Sequence, residues 1–390
     1  MLSQSFRLAT FNVENLFSRP DFWDPQRRSD QLIGNVMFED RHEATRVKRV
    51  VEAALSDEKC QLTALALLAT QADIIALQEV DSADALRNFR EAYLKRLEQP
   101  VVARAVKAAL ATNPAADEAT IRHVRDTAIA AVNYRFLSVL DGNDRRGIDI
   151  GLLSRFSWTA MRSHAGVTYA DLGIWPAGLG EILVGPQENQ RRITHDDRVF
   201  KRDLVEAEFL IDGRPFTLFC CHLKSMAGGR EATRVIRQAE AEAVRQIVER
   251  RFATHKGGVA AANWAIVGDF NDYSEIDGDR DPRNLATGQP SPGGISALLD
   301  PGFAVNLMGR RPPLDRWTTY HAPDDVYCQL DYILVSPAVA EANPDAVPEI
   351  VRQGQPVRAQ RYQGPRFPRI GWDRPKSSDH CPVVVTLRLR

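Results

Sequence analysis

Short apolar runs recur along the chain, and several of them stop at an Asn, Glu, His or Asp rather than fading into a polar loop. Six such segments stand out: LATFNVENLF (Leu8 to Phe17), DIIALQEV (Asp73 to Val80), TLFCCHLKS (Thr217 to Ser225), WAIVGDFND (Trp264 to Asp272), QLDYILVS (Gln329 to Ser336) and SSDHCPVVV (Ser377 to Val385). Each reads as a buried strand with its polar residue at one end. A core strand that finishes this way places costly polar groups at a rim, where they need a hydrogen-bonding partner or a metal.

Between these runs the period changes. Asp203 to Ile211 alternates, with Val205, Ala207, Phe209 and Ile211 on one face and Glu206 and Glu208 on the other. Asp212-Gly213 then signals a turn, and Pro215 to His222 returns as a second strand that carries His222 to its end. Helical spacing predicts amphipathic helices over Glu39 to Leu55 and Glu231 to Arg251. The Ala-rich stretch from Ser82 to Tyr134 is helix-prone, broken at Pro100 and Asn113-Pro114, and reads as a helical insertion around 82–134. Long irregular loops are expected around 272–294 and 351–376. Buried runs and half-buried alternations together indicate mixed sheets.

A chain of 390 residues with 44% hydrophobic content has ample material for a core, and the reading is one catalytic domain over 1–390 with the insertion and loops just named. The net charge of −1 excludes a globally basic nucleic-acid coat but not a local basic patch. No apolar run approaches a membrane span and no export signal opens the chain, so a soluble, cytoplasmic protein is expected. The five cysteines, Cys60, Cys220, Cys221, Cys328 and Cys381, lack a CxxC spacing. They read as buried small hydrophobes rather than disulfides or zinc ligands.

The polar strand ends carry the candidate chemistry. Asn12 and Glu79 offer a neutral oxygen and a carboxylate, the hard donors that Mg²⁺ or Mn²⁺ prefers; a turn cap and a solvated strand-end acid explain the same two residues. In Gly268-Asp269-Phe270-Asn271 the glycine lets the backbone turn, and two short polar side chains two apart share a side. The functional reading gives Asp269 the positioning and deprotonation of water and Asn271 a hydrogen bond to phosphate; a tight Asx turn is the alternative. Asp331 and His380 form a plausible carboxylate–imidazole pair, with His222 a second candidate histidine.

Taken together, the six segments, in this order from Leu8 to Leu389, resemble the endonuclease/exonuclease/phosphatase superfamily. These metal-dependent phosphoesterases include pancreatic-type deoxyribonuclease, exonuclease III-like abasic-site nucleases, sphingomyelinases and inositol-polyphosphate 5-phosphatases. The resemblance implies an α/β fold, a four-layer sandwich of two mixed sheets packed face to face with helices outside. It implies a metal site at Asn12 and Glu79 with Asp379 close by, a water-positioning and phosphate-binding pair at Asp269 and Asn271, and an Asp–His couple at Asp331 and His380. His222 stands where abasic-site nucleases carry a Tyr-containing motif and where deoxyribonuclease and sphingomyelinase types carry His, a departure from the abasic-site pattern. Arg146, in Arg146-Gly147-Ile148-Asp149, and Lys224 are candidate phosphate contacts, and an ordinary surface location explains each equally.

Substrate choice turns on the loop Val351 to Lys376. It holds seven basic residues, Arg352, Arg358, Arg361, Arg366, Arg369, Arg374 and Lys376, against Asp373, a local charge of +6. With Phe367 and Trp372 among them, it suggests a groove for a nucleic-acid backbone with aromatic stacking. A solvated basic surface is the plainer reading. The expected function is a metal-dependent nuclease acting by in-line attack of an activated water. The alternatives are a soluble small-molecule or lipid phosphoesterase and a non-catalytic binding scaffold.

Overall fold

The computed structural model describes residues 5–16, 57–144, 146–185, 190–273, 293–323 and 325–390. In chain order the strands are β1 (Phe6–Leu16), β2 (Ile74–Val80), β3 (Phe136–Leu140), β4 (Asp149–Ser154) and β5 (Trp158–Ser163), followed by a ribbon of β6 (Leu183–Val184) and β7 (Arg191–Arg192). They continue with β8 (Asp203–Ile211), β9 (Arg214–His222), β10 (Trp264–Asp269), β11 (Val305–Asn306), a ribbon of β12 (Thr319–His321) and β13 (Val326–Cys328), β14 (Asp331–Val335), β15 (Glu349–Ile350) and β16 (Val383–Leu387). The main helices are α1 (57–70), α2 (Ala83–Phe89), α3 (Glu98–Thr112), α4 (Glu118–Val132) and α5 (Arg230–Arg251).

Two six-stranded mixed sheets form, with strand orders β15-β16-β1-β2-β4-β3 and β11-β14-β10-β9-β8-β5. Each is built around one parallel pair, β1 with β2 and β9 with β10, flanked by antiparallel strands. Three apolar layers explain the stacking. Between the sheets lie Leu8, Ile74, Ala76 and Val383 from one, and Val205, Phe209, Leu218, Val267 and Ile333 from the other. Outside the second sheet, Phe219, Cys221, Trp264 and Ile266 pack against Ala239, Ala243, Val244 and Ile247 of α5. Outside the first, Ala9, Phe11, Ile75 and Leu77 pack against Ala64 and Leu67 of α1 and Leu86 and Phe89 of α2. The result is a four-layer α/β sandwich. The central strands bury both faces, which is why their sequences are continuous apolar runs.

The hairpin of β8 and β9 follows the alternation in its sequence. Its turn residues Asp212 and Gly213 adopt φ of 54° and 74°, the left-handed pair that a two-residue turn requires. The stretch around 82–134 is helical, with α2 capped by Ser82 and α4 by Asp117. Pro100 does not break a helix: it is the third residue of α3, within the first turn where an N–H has no intrahelical acceptor. The closing strand is shorter than the apolar run that suggests it. Pro382 has no donor, and the Cys381 N–H leaves the sheet for the Thr318 carbonyl at 2.6 Å. Residues 351–376 are irregular throughout. The helix expected over Glu39 to Leu55 and most of the loop around 272–294 lie outside the described residues.

One buried charge cluster ties α5 to the end of β10. Asp272 accepts from Arg230 Nε at 2.7 Å, Arg237 Nε at 2.9 Å and the Gly294 N–H at 2.7 Å, and the Arg237 and Asp272 side chains are wholly buried. Burial alone raises the carboxyl, but Arg237 and Arg230 outweigh it and hold Asp272 below its ordinary 3.8. The sign follows from linkage: a depressed folded-state pKa adds stability that is present above the unfolded value and lost as pH falls below about 4. Asp272→Ala takes from wholly buried Arg237 the carboxylate it is paired with and should cost about 3–5 kcal/mol at neutral pH. Urea unfolding of both proteins between pH 3 and 7 checks this, the variant showing the shallower dependence on pH.

Candidate active site

Strand pairing gathers the polar strand ends. Asp269 closes β10, in register with His222 at the end of β9 and with Asp331 at the start of β14. On the facing sheet Asn12 pairs with Gln78, one residue before Glu79, and His380 lies just ahead of β16. The C-terminal ends of both parallel pairs therefore meet at one rim. Gly268 permits the approach on the β9 side: a Cβ there would fall 2.0 Å from the Cys221 carbonyl oxygen.

Asn12 bridges the sheets. Its Nδ2 donates to Asp269 Oδ2 at 3.0 Å and to Glu79 Oε1 at 3.3 Å, while its Oδ1 accepts from the Glu14 N–H at 3.0 Å. Glu79 interrupts the β2 register as a left-handed residue, φ 68°, and its Oε2 accepts from the Asn15 N–H at 3.1 Å. Asn271, φ 51°, forms an Asx turn through its N–H to Asp269 Oδ1 at 2.8 Å, and its Nδ2 reaches Asp269 Oδ2 at 3.1 Å and the Leu223 carbonyl at 3.0 Å. The tight turn and the polar cluster are thus one object.

Two imidazoles converge on the same carboxylate. His222 Nε2 and His380 Nε2 each lie 3.7 Å from Asp269 Oδ2, and His222 Nε2 is 3.9 Å from Glu79 Oε1. His380 Nδ1–H donates to Asp331 Oδ2 at 2.8 Å, which aims Nε2 into the site. Their electrostatics differ in sign. Burial opposes charge on His380, yet Asp331, Asp269 and Asp379 overcome it and raise the imidazole well above 6.5. Burial and then Arg202 push His222 well below 6.5, and its Nδ1 meets no acceptor among the described residues. Asp269 is pushed up to about 7 by burial, with His380 and the Asn12 and Asn271 hydrogen bonds acting against the rise.

Among the described residues, one group of three candidate ligand atoms lies within 4.8 Å, on Asp269, Asp331 and His380. The Asp331–His380 hydrogen bond already occupies two of these, so the trio is better described as a relay. The donor set at Asn12, Glu79 and Asp379 fits a hard divalent cation: burial and then Asp379 raise the Glu79 carboxyl, and a cation would relieve both.

The remaining candidates lie at the edge. Arg146 is clamped by Asp144 at 3.0–3.1 Å, half exposed and within electrostatic reach of Glu79. The Lys224 ammonium turns to Ser225, O at 3.1 Å and Oγ at 3.3 Å, and its backbone N–H donates to buried Glu240 at 2.6 Å. Supporting residues carry no motif of their own. Thr318 Oγ1 donates to Asp331 Oδ2 at 2.7 Å, Ser378 Oγ to the Asn12 carbonyl at 2.7 Å, Gln355 Nε2 to the His380 carbonyl at 3.0 Å, and buried Arg202 to the Leu223 carbonyl at 2.8 Å. Trp317 and Tyr320 are core aromatics. The four buried cysteines and half-buried Cys60 are free thiols; burial raises the Cys221 and Cys381 thiols, which removes them from nucleophilic roles.

A model of the Endonuclease/Exonuclease/phosphatase family matches residues 9–380, and the chain belongs to that family of phosphoesterases. No curated protein matches the sequence closely enough to count as a relative. Solved structures that resemble it include truncated Caenorhabditis elegans TDP2, 13% identical over 98% of this chain and 97% of that one with a TM-score of 0.46. An endonuclease/exonuclease/phosphatase family protein from Bacteroides thetaiotaomicron is 12% identical over 99% and 96%, TM-score 0.49. The human Nocturnin catalytic domain is 13% identical over 99% and 95%, TM-score 0.48.

Replacing Asp331 by Asn removes the charge that holds the proton on His380. The imidazole pKa of His380 should fall markedly in this variant, read by NMR titration of the ring nitrogens. An unshifted titration means that the pair is not electrostatically coupled.

Proposed function

We propose that this member of the endonuclease/exonuclease/phosphatase family hydrolyses phosphodiesters, with nucleic acid as substrate, and that Asn12, Glu79 and Asp379 would hold the divalent ion such chemistry uses. The observation that supports it most is the meeting of Asn12, His222 and His380 around one carboxylate oxygen of Asp269 at the rim, with Glu79 joined to it through the Asn12 amide. A phosphodiester resists attack because it is anionic and its alkoxide leaves poorly. Mg²⁺ or Mn²⁺, when bound, neutralises charge on the phosphate.

The chain's own residues supply the rest. Asp269, pushed up to about 7, is matched to accepting a proton from water near neutral pH. Asn271 holds Asp269 in place through both its backbone and its amide. Protonated His380 presents an Nε2 donor to developing phosphoryl charge, and Asp331 keeps that proton available. Arg146 adds positive charge at the edge of the site, and neutral His222 offers an uncharged ring beside it. The arrangement gives His380 the better claim to protonate the leaving oxygen.

For nucleic acid, the support is the loop 351–376, although it divides. Arg352 is buried and bonds the carbonyls of Asp315 and Trp317, and Arg366 bonds those of Gln355, Ala359 and Tyr362. Phe367 packs against the outer apolar layer of the first sheet and is no stacking platform. Arg361, Arg369, Arg374 and Trp372 are exposed, so a smaller basic and aromatic surface remains.

Asp269→Asn and His380→Ala should each lower turnover about 10²–10³-fold with the fold intact. Chelation should abolish activity, and Mg²⁺ or Mn²⁺ restore it. The check is a metal-supplemented screen of single- and double-stranded DNA and RNA beside bis-p-nitrophenyl phosphate, inositol phosphates and sphingomyelin. Turnover of inositol phosphates or sphingomyelin alone would overturn the nucleic-acid substrate, and activity after thorough chelation the metal.

A further inference from the structure

Beside the candidate metal residues lies a cluster whose ion-paired groups, among the described residues, carry more positive than negative charge. Glu14, one turn of chain past Asn12, is the shared counter-ion of three cations: Lys376 Nζ at 3.3 Å, Arg374 Nη2 at 3.3 Å and Lys59 Nζ at 3.8 Å. Lys59 also donates to the Glu14 carbonyl. The groups come from three distant parts of the chain, β1, α1 and the loop before Ser377, so the cluster is assembled by the fold. The lysines and Glu14 are mostly buried, at 13–23% side-chain exposure, while Arg374 reaches outward at 67%.

The cluster joins the catalytic rim directly. The Glu14 N–H donates to Asn12 Oδ1 and the following Asn15 N–H to Glu79 Oε2. Asp379 lies within electrostatic reach of both Lys59 and Glu79. Among the described residues Glu14 is the one carboxylate in ion-pair contact with the three cations, and partly exposed cations that share one carboxylate are suited to a second anion. We propose that Lys59, Arg374 and Lys376 form a subsite for a second phosphate of the substrate, next to the scissile one, with Glu14 as the internal anion that orders the three cations when that phosphate is absent. This rests on the phosphodiesterase reading above, and names a substrate with at least two phosphates on one strand.

The test compares a dinucleotide carrying a 5′ phosphate, which has two phosphates, with bis-p-nitrophenyl phosphate, which has one. In Lys376→Met and Arg374→Gln, the ratio of kcat/KM for the first over the second should fall about tenfold. Calorimetric binding of the same dinucleotide, with the metal left out, should weaken in parallel. For a longer single strand, the slope of log K against log salt should shrink by about 0.7 per variant. Glu14→Gln should tighten dinucleotide binding, since it removes the competing anion. An unchanged ratio and unchanged binding in folded Lys376→Met and Arg374→Gln overturn the subsite. If the wild-type protein cleaves no diester, the hydrolytic reading fails, and the calorimetric comparison alone then decides the subsite.

Discussion

The Asn12 amide is the one contact on which the rim depends. Its two N–H bonds go to Asp269 on one sheet and Glu79 on the other, so a single side chain sets the spacing of two carboxylates that electrostatics would drive apart. The apolar layer between the sheets brings the strand ends close but is non-directional, and does not choose which atoms meet. That choice falls to the amide, to the Asx turn at Asn271 and to Ser378, which reaches the Asn12 carbonyl from the segment preceding β16. Burying carboxylates at this density is unfavourable, and the cost appears as the raised pKa values of Glu79 and Asp269.

The two histidines differ in charge because of their partners. Both are buried, and burial alone would leave both neutral. Asp331 makes the difference for His380: its Oδ2 receives the imidazole and the Thr318 hydroxyl together, and the ring stays protonated. His222 faces Arg202 and has no carboxylate on Nδ1 among the described residues, so it remains neutral. A protonated and an uncharged ring thus stand beside one carboxylate, the kind of split that acid and base roles at a single pH would need on the proposed reading.

The fold was largely readable along the chain because each central strand buries two faces and so writes an uninterrupted apolar run. The β8–β9 hairpin and α5 follow from alternation and helical spacing alone. The site was readable to the extent that its polar residues end such runs: Asn12, Glu79, His222, Asp269, Asp331 and His380 all stand at one rim. What sequence conceals is pairing across long separations. Thr318, Gln355 and Arg202 act through hydrogen bonds to residues distant in the chain and have no local pattern to betray them. The basic loop misleads in the opposite direction: counting charges cannot distinguish Arg366, which holds backbone carbonyls, from Arg361, which lies exposed over the Tyr327 ring.

Backbone strain at the rim completes the physical picture. Glu14, Asn15, Glu79 and Asn271 all adopt positive φ, between 50° and 68°, where an L side chain is held at a cost of roughly 1–3 kcal/mol each. Each strained stretch is retained by a bond to a neighbouring site residue: the Glu14 N–H to Asn12, the Asn15 N–H to Glu79, the Asn271 N–H to Asp269. The left-handed turns direct amides inward at acceptors that would otherwise be buried and unpaired, so strain and satisfaction of the carboxylates are one arrangement. On the hydrolytic reading proposed above, donors fixed in this way would need little reorganisation when charge develops on a bound phosphate.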